Sequence, residues 1–189
     1  VPEYKYPAQL QDITDAIGWI KNNCRAYEGD ISKVFLAGDS SGAYLASWYA
    51  CANFNERLIS DAGIANFTRL ENIAGVVLFY GAYDIETVMK GNFPLKDKII
   101  PAFLGKFYGD PKTLETASPA RFVTNKFPRA FLCCSENDPL FKETKNLYNK
   151  IRDANVYAQK LFFSKGEYRE AGHGFLNFYK EEYSKIAFE

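Results

Sequence analysis

The chain has 189 residues, in which 23 Lys and Arg balance 23 Asp and Glu, with 47% hydrophobic and 16% aromatic side chains. A net charge of zero gives no electrostatic reason to expect nucleic acid or an anionic membrane surface as a partner. The longest apolar run, 73–83, has 11 residues, whereas a membrane-spanning helix needs roughly 18 or more. We therefore expect one globular domain over 1–189, with no nucleic acid partner and no membrane span.

The first predicted element is a helix that begins near Pro7, because proline is well suited to the first helical turn. Apolar residues then recur at spacings of three, four and three, which places them on one helical face: Leu10, Ile13, Ile17 and Ile20. This helix is predicted to end near Asn22 or Asn23.

Four apolar runs predict strands, with helices between them. The run Val34–Ala37, followed by glycine, is typical of a strand buried on both faces. Further strands are predicted at 75–80, 130–134 and about 159–163, and helices at 41 to about 53, 141–153 and 176 to about 187. This alternation predicts an α/β fold, with a mostly parallel sheet covered by helices on both faces.

The segment from about 85 to 128 interrupts the alternation, because prolines and glycines divide it into short apolar pieces. A connection of this length inside a compact domain is usually functional. We expect this segment to be a cap or lid inserted into the domain, over a site. Four aromatic side chains there either contact an apolar part of a ligand or pack the cap onto the body: Phe93, Phe103, Phe107 and Tyr108.

A predicted strand, the pentapeptide Gly38-Asp39-Ser40-Ser41-Gly42 and a predicted helix follow one another directly. This is the nucleophile elbow pattern G-x-S-x-G, in which the serine lies on a tight, strained turn. Glycine is expected at positions 38 and 42, because a Cβ at either position would collide with the neighbouring strand and helix. The backbone N–H of Ser41 is then a predicted oxyanion donor. The alternative is a glycine-rich turn that holds a serine incidentally.

A serine nucleophile needs a base, normally an imidazole held by a carboxylate. The chain has one histidine, His173, in a glycine-flanked loop between the last strand and the last helix. Asp138 follows the third strand and is the preferred acid, with Asp84 as runner-up and Glu136 third. A helix cap or a turn would also explain these carboxylates.

The order Ser40, Asp138, His173 excludes a chymotrypsin-like protease, in which the histidine and the aspartate precede the serine. The four cysteines lack CxxC spacing, and we expect all of them to be buried thiols. A single histidine also supplies too few ligands for a Cys/His zinc site. We therefore expect neither a metal nor another cofactor.

Together these motifs resemble the α/β-hydrolase fold, and within it the hormone-sensitive-lipase-like group of esterases and acetyl esterases. The similar stretches are Pro2–Ala8, Gly38–Gly42, Asp138–Leu140 and His173–Phe175, in the same chain order. The resemblance implies a serine hydrolase acting on small or medium acyl esters. Ser40 would be the nucleophile, His173 the base and Asp138 the acid.

The chain departs from that group at Ala43, where the group usually has a second glycine after the elbow. It also lacks the His-Gly-Gly-type oxyanion loop that precedes the Pro2–Ala8 stretch in the group. The resemblance therefore implies an upstream segment of the same fold. Because losing one oxyanion donor costs about 10²–10³ in rate, we expect the 189 residues alone to be nearly inactive.

The expected function is the hydrolysis of small-molecule carboxylic esters, and the expected location is cytoplasmic. The same triad would serve an amide hydrolase, either arylformamidase-like or a serine peptidase. A binding module on this fold that has lost catalysis is a third alternative, although such modules often lose the base, which His173 retains.

Overall fold

The computed structural model describes residues 3–189, so Val1 and Pro2, and with Pro2 the start of the Pro2–Ala8 stretch, lie outside the described residues. In the described part, four parallel strands form one sheet in the order β1-β2-β3-β4. The strands are Val34–Asp39 (β1), Ile73–Phe79 (β2), Ala130–Ser135 (β3) and Ala158–Phe163 (β4). The predicted α/β fold is confirmed, and the carboxyl ends of all four strands meet at one edge of the sheet.

Eight α-helices occur between residues 3 and 189: Ala8–Asn23 (α1), Ser41–Ala52 (α2), Glu56–Ala62 (α3), Ile85–Lys90 (α4), Lys96–Leu104 (α5), Pro111–Thr116 (α6), Phe141–Asp153 (α7) and Glu182–Phe188 (α8). The positions of α1, α2 and α7 agree with the sequence patterns, whereas α3 was not predicted. None of the helices in this part of the chain combines the length and the apolarity that crossing a lipid bilayer requires.

The prediction of one helix from Leu176 to about Ala187 is wrong. Residues Phe175–Asn177 form a single 3₁₀ turn, and α8 begins only at Glu182. Between them the Glu181 amide donates a hydrogen bond to the Phe178 carbonyl at 2.9 Å, which closes a turn and redirects the chain.

Side chains pack on both faces of the sheet, but the two layers differ in size. The larger core contains Trp48 of α2, Leu78 of β2, and Leu147 and Ile151 of α7. The smaller core lies on β2, β3 and β4 and is mainly aromatic, with contributions from the 3₁₀ turn and α8: Phe79, Tyr80, Phe163, Phe175 and Tyr183.

The prediction that β1 is buried on both faces is wrong for the described chain. Its residues alternate between half-buried and exposed, and the Phe35 side chain is 63% exposed. Helix α2 covers one face of β1. The smaller core covers the opposite face of the sheet over β2, β3 and β4, but it does not extend to β1. As β1 also lies at an edge of the sheet, its outer side has no strand partner among residues 3–189.

The cysteine prediction holds for three of the four thiols. Cys51, Cys133 and Cys134 are buried, and burial raises the pKa of the Cys133 thiol to about 12. Cys24 is only half-buried, because it lies in a 3₁₀ turn at the surface after α1. All four are free thiols.

Candidate active site

Ser40 lies at the turn between β1 and α2, with φ of 49° and ψ of −113°. A non-glycine residue with positive φ is strained, and such strain concentrates at functional sites. The Ser40 amide donates to the Phe79 carbonyl at 2.9 Å, which ties the turn to β2. The next residue, Ser41, begins α2, so its N–H is among the first four amides, which have no partner within the helix.

The two glycines of the elbow have different surroundings. A Cβ at Gly38 would lie 2.3 Å from the carbonyl carbon of Gly42, so only glycine allows this close backbone approach. A Cβ at Gly42 would meet only Oδ1 of Asp39, at 3.9 Å. The expected collision is therefore found at Gly38 and not at Gly42, because the Cα of Gly42 faces open space.

The structure brings Ser40, His173 and Asp138 together from three separate loops. Oγ of Ser40 lies 2.9 Å from Nε2 of His173, and Nδ1 of His173 lies 2.8 Å from Oδ2 of Asp138. The Asp138 side chain is completely buried, whereas that of His173 is 28% exposed. A carboxylate can only accept, so Nδ1–H donates to Asp138 and Nε2 is left to accept from the Ser40 hydroxyl.

Asp138 also stabilises a turn, which was the alternative to a catalytic role for this carboxylate. Its other oxygen, Oδ1, accepts a hydrogen bond from the Leu140 amide at 2.7 Å. The two roles use different oxygens, so the turn fixes the carboxylate that contacts His173.

The other two candidate acids are engaged elsewhere. Asp84 caps α4 by accepting from the amides of Glu86 and Thr87, and it forms an ion pair with Arg121 at 2.9 Å. Glu136 is exposed and accepts from the Lys165 amide at 2.9 Å.

An apolar cavity of about 470 Å³ opens beside Ser40. Its wall combines Tyr44 of α2 with side chains of the segment 85–128, among them Ile100, Phe93 and Phe103. A second cavity of about 530 Å³ lies next to Asp138, is lined by polar residues such as Glu143, and shares Phe93 with the first. Two of the four predicted aromatic residues, Phe107 and Tyr108, are exposed and lie outside both cavity walls.

Two aromatic rings flank the imidazole of His173. The ring centroids of Tyr80 and Phe93 lie 5.1 and 5.5 Å from that of His173, and both pairs are edge-to-face. Phe93 was named from the sequence as a cap residue, but Tyr80 was assigned only to a strand. The position of Tyr80 directly after β2, at the carboxyl edge of the sheet, was the signal that could have placed it near the site.

Glu143 is a buried carboxylate that the sequence patterns did not identify. Its oxygens accept from the Asp84 amide at 2.9 Å and from Oγ1 of Thr87 at 2.6 Å. Burial raises the pKa of Glu143 above its ordinary value, while these two hydrogen bonds oppose the shift. In residues 3–189, no cluster of three His, Cys, Asp or Glu side chains suits a metal ion.

Comparisons with known proteins agree with the fold. Esterase LipQ of Mycobacterium tuberculosis is 25% identical over 160 residues, covering 82% of this chain and 37% of LipQ. Esterase B of Lactobacillus rhamnosis HN001 is 19% identical with a TM-score of 0.83, covering 100% of this chain and 60% of esterase B. The same esterase inhibited with a C4-C4 SN3 tributyrin phosphonate gives a TM-score of 0.80 at 19% identity, covering 99% and 59%.

The chain thus spans less than two fifths of the length of LipQ and about three fifths of esterase B. These likenesses confirm the resemblance to esterases of the α/β-hydrolase fold. The family model BD-FAE matches residues 1–151, which is most of the chain. The chain belongs to the BD-FAE family.

Proposed function

We propose that this chain carries the nucleophile, base and acid of a serine hydrolase that cleaves carboxylic esters. The observation that supports the proposal most directly is the continuous hydrogen-bonded path from Ser40 through His173 to the buried Asp138. The esterase names of relatives such as LipQ favour an ester over an amide.

In the proposed reaction, Oγ of Ser40 attacks the ester carbonyl carbon while Nε2 of His173 takes the hydroxyl proton. Asp138 accepts from Nδ1–H and stabilises the imidazolium that forms. His173 then returns the proton to the leaving alkoxide, which departs as an alcohol and leaves an acyl-enzyme on Ser40. A water molecule, deprotonated by His173, releases the carboxylic acid and restores the serine.

The negative oxygen of the tetrahedral intermediate needs hydrogen-bond donors that are already in place. We assign one donor to the backbone N–H of Ser41, because it is unpartnered within α2 and lies at the positive end of the helix.

We assign residues 85–128 to a cap that shapes the substrate site of a single hydrolase domain. Three of its side chains, Ile100, Phe93 and Phe103, make the cavity beside Ser40 apolar. Such a cavity favours a small or medium apolar acyl or alcohol group over a charged one.

The test is covalent labelling with an alkyl fluorophosphonate, followed by intact-protein mass spectrometry. One adduct is expected on the chain, none on Ser40→Ala, and an unchanged adduct on the control Ser60→Ala, which replaces an exposed serine on α3. Failure of the intact full-length protein to take the label would instead support a binding module without catalysis.

Turnover of a p-nitrophenyl ester by the full-length protein provides the second measurement, with a matched p-nitroanilide to compare kcat/KM on ester and amide. Ser40→Ala is expected to lower ester turnover by about 10⁴ or more, since the members of a triad act as a unit. Ester turnover that survives this substitution would contradict the assignment, and a higher kcat/KM on the anilide would identify an amide hydrolase.

A further inference from the structure

Tyr80 occupies an unusual position at the end of β2. Its side chain is fully buried, and its φ is 38°, a value that bulky residues rarely adopt. The Tyr80 amide donates to the Cys133 carbonyl of β3 at 3.0 Å, which holds this backbone conformation in place. The positive φ takes Tyr80 out of the strand, and its ring lies among side chains from the carboxyl end of the sheet.

The Tyr80 side chain contacts both halves of the proposed catalytic apparatus. Its ring packs edge-to-face on the imidazole of His173 and on the ring of Phe175, both at 5.1 Å between centroids. Its hydroxyl donates to Oδ2 of Asp39, the residue before the nucleophile, at 3.3 Å. Through these contacts one side chain joins the elbow after β1 to the loop after β4.

We propose that Tyr80 is a positioning residue that keeps the imidazole of His173 aligned with Ser40. This proposal rests on the proposed function. The ring restricts movement of the imidazole, and the hydroxyl fixes the ring to Asp39. Alignment matters because a displacement of about 1 Å in a catalytic group can reduce the rate about a hundredfold.

The hydroxyl of Tyr80 also stays a donor throughout the working pH range of a hydrolase. Burial raises the pKa of Tyr80 far above its ordinary value, and the nearby Asp39 carboxylate raises it further. The link to the elbow therefore persists while His173 gains and loses its proton.

The test uses NMR of the chain labelled with ¹⁵N-histidine, because the single histidine makes the signal unambiguous. The wild-type chain is expected to show a downfield Nδ1–H proton held by Asp138. In Tyr80→Leu this signal should broaden or disappear while circular dichroism shows a folded chain. The matched control is Tyr183→Leu, which removes a ring that packs on Phe163 and Phe175 in the same aromatic core and should leave the signal intact.

Ester hydrolysis by the full-length protein gives the second readout. Tyr80→Leu is expected to lower kcat about 10- to 100-fold with little change in KM, because substrate binding is preserved while alignment is lost. A Tyr80→Leu chain with the wild-type Nδ1–H signal and the wild-type kcat would overturn the proposal. So would an equal loss of the signal in Tyr183→Leu.

If Tyr80→Leu does not fold, Tyr80→Phe decides the question. It should lower kcat a few-fold, and Asp39→Ala added to it should cause no further loss, since both changes break the same hydrogen bond. Additive losses, or no loss, would overturn the proposal. The NMR result also separates the two proposals: a chain that takes no phosphonate label but loses the Nδ1–H signal in Tyr80→Leu contradicts the proposed function alone.

Discussion

Gly38 packs directly against the backbone of the first turn of α2, and Gly42 faces open space. Gly38→Ala is therefore expected to force the elbow apart and to lower the free energy of unfolding by about 1–3 kcal/mol or more. Gly42→Ala is the matched control, and the same measurement should show little change. Urea denaturation followed by circular dichroism measures both, and equal losses would contradict the steric explanation.

Asp138 holds the imidazole with one oxygen and the turn with the other. Asp138→Asn keeps an oxygen for the Leu140 amide but presents the wrong partner to Nδ1–H. It should leave the melting temperature nearly unchanged and lower kcat about 10⁴-fold, as the same change does in other triads. Asp84→Asn, at the cap of α4, should keep most of kcat. The opposite ranking in ester turnover would make Asp84 the catalytic acid.

At the level of elements, Glu143 connects α7 to the start of α4. The Thr87 hydroxyl lies within hydrogen-bond distance of two acceptors, the Asp84 carbonyl at 2.9 Å and Oε1 of Glu143 at 2.6 Å. With only one proton, Thr87 donates to one of them at a time. A protonated Glu143 can donate to Thr87 Oγ1 while Thr87 donates to the Asp84 carbonyl, so the neutral carboxyl group that burial favours keeps its hydrogen bond to Thr87.

Glu143→Gln mimics this neutral form, since the amide can donate to Thr87 and accept from the Asp84 amide. The folded-state pKa of Glu143 is raised, so the folded chain binds its proton more tightly than the unfolded chain. Protonation therefore stabilises the fold, and this contribution is lost as pH rises from the ordinary pKa of a glutamate through the raised value. We expect Glu143→Gln to be more stable than wild type at pH 8 and nearly equal at pH 4.

Urea denaturation at several pH values measures this difference. Thr87→Val removes a hydroxyl that donates to the charged carboxylate and lowers the pKa of Glu143, so it should enlarge the advantage of Glu143→Gln at pH 8. A wild-type chain that gains stability relative to Glu143→Gln as pH rises would contradict the raised pKa.

The elements that could be predicted are those whose patterns are local. The apolar spacing of α1 and the run that forms β3 depend on near neighbours in the chain, and both lie close to their predicted positions. Helix α3 is too short for its periodicity to show. The exposure of β1 depends on which face other elements cover, and no local pattern contains that information.

The same distinction applies to the candidate site. Ser40, His173 and Asp138 could be named because each follows a strand in the order typical of one fold. Tyr80 could not, because its contacts with Asp39 and His173 join residues far apart in the chain. Asp138 was preferred to Asp84 as the acid, but both follow strands, and only the fold brings one of them to His173.

On the scale of the whole molecule, the two edges of the described sheet differ in chemistry. The exposed positions of β4 include Gln159 and Lys160, polar residues that discourage pairing with another strand. The exposed positions of β1 include Phe35 and Ala37. An unpaired edge with an exposed aromatic side chain favours association. We therefore expect the 189-residue chain, expressed by itself, to self-associate through β1.

Phe35→Lys should reduce this association, because a charged side chain on an edge strand opposes pairing between copies. Phe35 lies over Gly75 but is mostly exposed, so the loss of packing should cost little stability. Size-exclusion chromatography with light scattering, over a wide concentration range, would measure the mass of wild type and variant. The control Tyr157→Lys places the same charge at an exposed aromatic residue beside β4 and should leave the mass unchanged. If Tyr157→Lys disperses the chain as well as Phe35→Lys does, added charge and not the β1 edge controls association.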